Sequence, residues 1–313
     1  MDKVRLPILA AIVFSSAASG LAQPAENMVA ARYVIGLDNI KRNRIVKITS
    51  VDGALQFQAG TANAKVPVAS IDDIYVGRET TQAGGKAGTA AKTAAMAIPY
   101  DGGAPLKILL RTNVDILTLS NRDSNGGLHF AILALPKGQG ELQRTQLVAA
   151  GAHVIPAVGQ EMKEKSPAAP AVQQKTKRPK FYASAILIEP VDAGDVRIPP
   201  EFRAAVYEFL IIRVRDSGVF HQVFRSGDHA AAGVPDLVTL HTTVENFKEG
   251  SQMKRELTTV LGATKLDVAA SVTGRDGHVV LDGTVHGKVR FFGENLGVTN
   301  DLAKHIAKLL KQE

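Results

Sequence analysis

Residues 155–180, IPAVGQEMKEKSPAAPAVQQKTKRPK, constrain the fold more than any other stretch, because they cannot build a core. They have no hydrophobic period, and Pro156, Pro167, Pro170 and Pro179 interrupt a run of Ala, Gln and Lys. Such a segment buries too little apolar surface to offset its ordering entropy, so it reads as a solvated, partly extended linker. Regular patterns begin on either side. The expected division is a leader at 1–23, a first domain at 28–154, the linker, and a second domain at 181–313. That count suits a chain at roughly 100–200 residues per domain. Fragments 24–154 and 181–313 are expected to fold separately.

The net charge of +7 invites a nucleic-acid reading, but its distribution argues against one. The linker holds five Lys and one Arg against two Glu, and the leader adds Lys3 and Arg5 against Asp2, so the folded parts are near neutral. No basic patch with interleaved aromatics and no nucleic-acid motif occurs. The basic linker is expected to make weak, salt-sensitive contact with anionic surfaces. Cysteine is absent, which excludes disulfides, thiolate ligands, cysteine nucleophiles and a lipidated anchor. In the leader, Lys3 and Arg5 precede a short apolar run at 6–14, and Gly20 and Ala22 sit at −3 and −1 of a cleavage site before Gln23. The expectation is a cleaved signal peptide, a periplasmic or secreted protein, and no transmembrane segment after cleavage.

Residues 28–154 show a period of two. Strands are predicted at 31–37, 45–51, 54–58, 65–68, 71–76, 106–111, 115–120 and 128–135, with Asp52-Gly53 as a tight hairpin. A helix at 139–150 is predicted to turn Leu142, Leu147 and Val148 inward and to stop at Gly151. Antiparallel strands capped by one helix resemble a pleckstrin-homology-like barrel. The resemblance implies a scaffold that binds peptides, proteins or lipid head groups. Lys41, Arg42 and Arg44 read as solvated charges in a hairpin loop.

Residues 81–99 interrupt this domain with an Ala/Gly-rich run. On a helix, Gly84, Gly88, Ala91 and Ala95 would form a smooth face that admits close approach of a partner backbone. Gly84 and Gly88 replaced by Leu should then abolish partner capture. The run lacks the spacing of a phosphate loop.

In the second domain a strand at 181–188 is predicted to be buried on both faces. A helix opens at Pro199-Pro200, with Phe202, Ala205, Val206, Phe209 and Ile212 as its inner stripe, and stops at Gly218. Strands follow at 221–225, 237–247, 266–273 and 279–292. The last helix, 301–310, buries Leu302, Ile306, Leu309 and Leu310, with Thr299 or Asn300 as cap. Gly218-Val219-Phe220-His221-Gln222-Val223, Pro235-Asp236-Leu237-Val238, Glu249-Gly250 and Asp276-Gly277 carry a likeness. This part resembles the periplasmic domain of curli-secretion-channel subunits, penicillin-binding-protein activators and the amino-terminal domain of TolB. The resemblance implies an envelope protein acting through protein contacts. The chain departs from it in lacking a lipidated cysteine and any hairpin suited to a transmembrane barrel.

The fold class expected is therefore α+β: a small antiparallel β-barrel with a C-terminal helix, then a mixed α/β domain with helices packed on a sheet. None of the eight His has metal-ligand spacing, and no GxSxG elbow occurs. Asp72 and Asp73 are adjacent on a strand and point to opposite faces, so they cannot pair as acid and base. Glu189 and Asp192 follow the C-terminal end of a buried strand, where α/β proteins place function. His241 and His286 read as solvent-facing or hydrogen-bonded, and His305 as interfacial packing. The function expected is an exported, non-catalytic two-domain adaptor of the bacterial cell envelope that holds an envelope protein and needs no metal or cofactor. Its rivals are a periplasmic hydrolase using Glu189, Asp192 and His241, and a lipid or small-ligand carrier using the barrel interior.

Overall fold

The computed structural model describes residues 28–82, 111–153, 183–251, 262–289 and 294–311. The expected leader, the linker, all of the expected strand 106–111 but Arg111, and the small face of Gly84, Gly88, Ala91 and Ala95 lie outside these residues; Arg111 and the expected strand 115–120 belong to one continuous strand.

Seven antiparallel strands form the first sheet: β1 Val29–Ile35, β2 Ile45–Val51, β3 Ala54–Ala59, β4 Ala62–Pro67, β5 Ile71–Gln82, β6 Arg111–Arg122 and β7 Leu128–Pro136. Their order is β4-β3-β2-β1-β7-β6-β5. The β2–β3 hairpin turns on Asp52 and Gly53, both at positive φ, as a two-residue turn between right-twisted strands requires. Alternate residues send Tyr33, Val46, Phe57, Leu117, Leu119 and Leu133 into one core on the concave face. Side chains fill the interior that the carrier reading would need.

The expected barrel does not close. β4 and β5 are sequence neighbours, yet they are the two edges of the sheet. Pro67 ends β4 without an N–H to give, and the Val68 N–H turns back to the Gly53 carbonyl at 2.8 Å. At the start of β5, the Ile71 carbonyl accepts the His153 N–H instead of a β4 donor. The segment that reaches it follows helix α1, Gln139–Ala149; Leu147 of the helix and Ala152 of the segment join the core on the concave face.

Helix α1 also buries a different stripe from the predicted one. Leu142 and Val148 are about half exposed, and Gly140, Gln143 and Leu147 face inward. The buried Asp115 carboxylate on β6 sets this rotation by accepting the Gly138 and Gly140 N–H groups at 2.7 and 3.0 Å. A Cβ on Gly140 would lie 2.7 Å from Val76 and 2.8 Å from Asp115, so glycine alone permits that approach.

The second sheet holds β8 Ala185–Ile188, β9 Gln222–Arg225, β10 Leu237–Lys248, β11 Thr264–Thr273 and β12 Val279–Val289, in the order β12-β11-β10-β8-β9. β8 runs parallel to both neighbours, and β10 to β12 form an antiparallel meander. Helices α2, Pro200–Ser217, and α3, Gly297–Lys311, pack on one face. Helix α3 starts earlier than predicted. Thr299 lies inside it, donating to the Leu296 carbonyl at 2.7 Å, and Asn300 accepts from Arg213.

The molecule is thus mostly β, with two sheets and three α-helices among the described residues, which corrects the α+β assignment. The reason lies in α2. Its predicted inner stripe is buried except Ile212, which is partly so, but Ala204, Tyr207, Leu210, Ile211 and Val214 are buried too. A helix with apolar residues on more than one face needs cover on more than one side. The first sheet supplies the second cover through Val34, Ile116, Ile132 and Ala134, so both sheets share one apolar cluster.

Polar groups seal the same seam. Glu208 on α2 takes two hydrogen bonds from Arg225 on β9, at 2.8 and 2.9 Å. Glu208 also accepts the Phe130 N–H, and Arg225 donates to the Leu128 carbonyl. Arg32 on β1 pairs with Glu294 before α3 at 2.6 Å. Arg42, read as a solvated loop charge, stacks over the Phe209 ring at 5.1 Å.

Candidate functional site

Both helices of the second sheet lie on one face, and among the described residues no helix covers the opposite face of β10–β12. The residues on it follow from register. Inward positions are apolar except for Thr242: Val238, Leu240, Val244, Leu266, Val268, Ala270 and Val272. The alternate positions make transverse rows, since side chains directly opposite share a face.

The row at one end is Lys248, Lys265 and Lys288, each opposite the next. Neighbouring strands are about 4.8 Å apart, so three cationic stems stand in a line. The next row is Asn246, Asp267 and His286. Asp267 accepts from Asn246 at 3.0 Å and lies 2.8 Å from His286 Nδ1. Burial pushes this carboxyl up, but those bonds and the Lys265 charge outweigh it and hold it below the usual range. The third row, Thr243, Ala269 and Thr284, is small and smooth.

His241 stands in the fourth row. Its Nδ1 lies 2.7 Å from Glu189 Oε2, and its Nε2 lies 2.9 Å from Thr273 Oγ1. The hydrogen bond to Glu189 raises the imidazole above its ordinary range, with partial burial opposing. A neutral ring donates from Nδ1 to Glu189 and accepts the Thr273 hydroxyl proton at Nε2, whereas a protonated ring donates from both. The first state has the geometry of a hydroxyl, a base and a carboxylate that orients the base.

The sequence pointed to Glu189 and His241, and the fold brings them together. It leaves Asp192 out. That residue extends the β8 edge, its N–H on the Thr242 carbonyl and its carbonyl on the Val244 N–H, with its carboxylate on the Gly194 N–H. Thr273 and the lysine row were not foreseen. Asp72 is exposed beside Arg122 and Asp73 is buried, so the adjacent pair does not converge. His305 is not interfacial packing: its ring is half exposed, 2.9 Å from the His286 carbonyl. Among the described residues no three His, Asp or Glu side chains could together hold a metal ion, and no helix is long and apolar enough to cross a membrane. A groove of about 430 Å³ lies elsewhere, between the ends of β1 and β7, beside Arg32, Val114 and Lys137.

No family profile and no curated protein matches the chain. Among solved structures, a PelC dodecamer from Paraburkholderia phytofirmans is 12% identical, covering 43% of this chain and 94% of that one, with a TM-score of 0.32. A neuraminyllactose-binding hemagglutinin homolog from Helicobacter pylori is 12% identical over 45% of this chain and 90% of its own, with a TM-score of 0.25. An uncharacterized protein is 13% identical over 44% and 92%, also at 0.25. Likeness at these scores leaves fold and function to be argued from the residues themselves.

Proposed function

We propose that this chain is an exported, non-catalytic binding protein of the bacterial cell envelope that docks an acidic protein surface on the open face of its second sheet. The lysine row carries the reading. Lys248 and Lys265 stand directly opposite each other, and like charges so placed carry a destabilising cost. An acidic partner surface would offset it. Export rests on the signal-like pattern of residues 1–23, and the envelope setting on the resemblance of the second half.

The test is photo-crosslinking in living cells from a probe at Thr284, with a second probe at Gln56 on β3 as control. The expected result is a defined adduct from Thr284 that disappears when Lys248, Lys265 and Lys288 are all replaced by Glu, and that weakens as salt rises. Equal adducts from both probes, or one indifferent to the lysines, would count against this face.

The His241 relay supports a second reading, a hydrolase in which His241 activates the Thr273 hydroxyl under the orientation of Glu189. Alanine at His241 or at Thr273 should then each abolish the phenotype of deletion while the protein remains folded. Retention of function in both would remove the enzyme reading.

A further inference from the structure

We propose that Glu79 is a proton-operated latch between the two sheets, closed when its carboxyl is protonated and loosened when it ionises. Glu79 projects from β5, the edge strand of the first sheet. Its Oε1 accepts the N–H groups of Asn295 and Leu296, in the turn that opens α3 on the second sheet. One carboxyl therefore joins two bodies 216 residues apart in sequence.

The other oxygen makes the bond conditional. Oε2 is closed off from solvent, and no hydrogen-bond partner reaches it among the described residues. The residue as a whole keeps some surface exposed, but the atom that would carry charge does not. A neutral carboxyl there leaves only an O–H or a lone pair without a partner. An ionised one places charge on an oxygen with neither water nor donor, a far larger penalty unless the seam opens to admit water.

The neighbours do not relieve this cost. In the turn before α3, Glu294 adds like charge. Arg32 on β1 is the cation that opposes it, and Arg32 is already paired with Glu294. Behind them, the Asn295 side chain donates to Glu249, which follows β10, and accepts from Thr264 on β11. Glu249 in turn faces Glu201 on α2, whose carboxyl is raised by burial and then by that charge. Arg32, the cation that acts on Glu79, is thus already engaged, and further acids line the same seam.

Burial, followed by Glu294, pushes Glu79 up to about 8, with the two N–H donors and Arg32 pulling the other way. Its value in the unfolded chain is near the ordinary glutamate range, about 4.3. A carboxyl raised on folding gives its full contribution below the unfolded value. That contribution falls as pH rises, because the folded state keeps a proton the unfolded state has lost. The latch itself stays closed until the folded protein releases that proton, near pH 8 by the same balance.

Amide hydrogen exchange of the full chain, corrected for the intrinsic rate at each pH, tests the latch. Protection at Asn295 and Leu296 should drop by up to roughly tenfold per pH unit between the ordinary glutamate range and about 8, and level off above that. Amides of α1, remote from the seam, should hold. Glu79→Gln, which mimics the protonated carboxyl, should keep those two amides protected throughout. An unchanged wild-type profile, or an equal loss in Glu79→Gln, would overturn the proposal. Should Glu79→Gln not fold, ¹³C titration of the wild-type carboxyl decides it. An alkaline midpoint supports the latch, and one in the ordinary carboxylate range refutes it.

Discussion

Arg225 and Glu208 are the residue pair on which the join between the sheets depends most. Each is buried, and each also serves backbone of β7: Glu208 takes the Phe130 N–H and Arg225 gives to the Leu128 carbonyl. A buried ion pair contributes little net stability over an apolar replacement, but removing one partner leaves an uncompensated charge, which costs about 3–5 kcal/mol. Arg225→Met should therefore lower the unfolding free energy by an amount in that range, read as a lower urea midpoint with the slope unchanged. A loss below about 1 kcal/mol would mean that water reaches Glu208. Neither residue stood out in sequence, since an isolated Glu in a helix and an Arg after a short strand are ordinary surface residues until packing encloses them.

At the scale of elements, α2 is the member whose environment the sequence conveyed only in part. Its stripe and its Gly218 stop, at positive φ, were legible from a period of 3.6 and from the need for a left-handed residue after the last turn. Its other face is an interface with the first sheet, which the stripe alone does not reveal. Ile132 on β7 is fully buried in that interface. Ile132→Ala should cost about 2–5 kcal/mol, and hydrogen exchange should accelerate in β10–β12 as well as in β7. Acceleration confined to the first sheet would show that α2 does not couple them. The lysine row is an element-scale feature too. Asp276-Gly277 marks the β11–β12 hairpin, and counting outward from it predicts that Lys265 faces Lys288. That register is the one observed, and the one-residue shift at Val272/Thr273 is confined to the turn end of the hairpin.

For the whole molecule, the shared core makes a statement about cooperativity. The linker composition led to an expectation of separately folding fragments, whereas α2 buries apolar surface against both sheets. The full chain should melt in one transition, with calorimetric and van't Hoff enthalpies in agreement. Two resolved transitions would return the halves to independence.

Local chemistry alone determined the strands of the first sheet, the Asp52-Gly53 turn, the helix stops at Gly151 and Gly218, and the alternation that puts one face of β10–β12 inward. These are properties of a few neighbouring residues: side-chain period, missing Cβ atoms, and turn propensity. Tertiary structure alone decided that β4 and β5 remain edges, that Asp115 rotates α1, and that α2 has two partners. It also placed Thr273 beside His241 and the carboxyl of Glu79 under the start of α3. Each of these depends on atoms far apart in the chain meeting at a particular register and distance. A period of two or of 3.6 marks which side of an element is buried, and carries no information about what buries it.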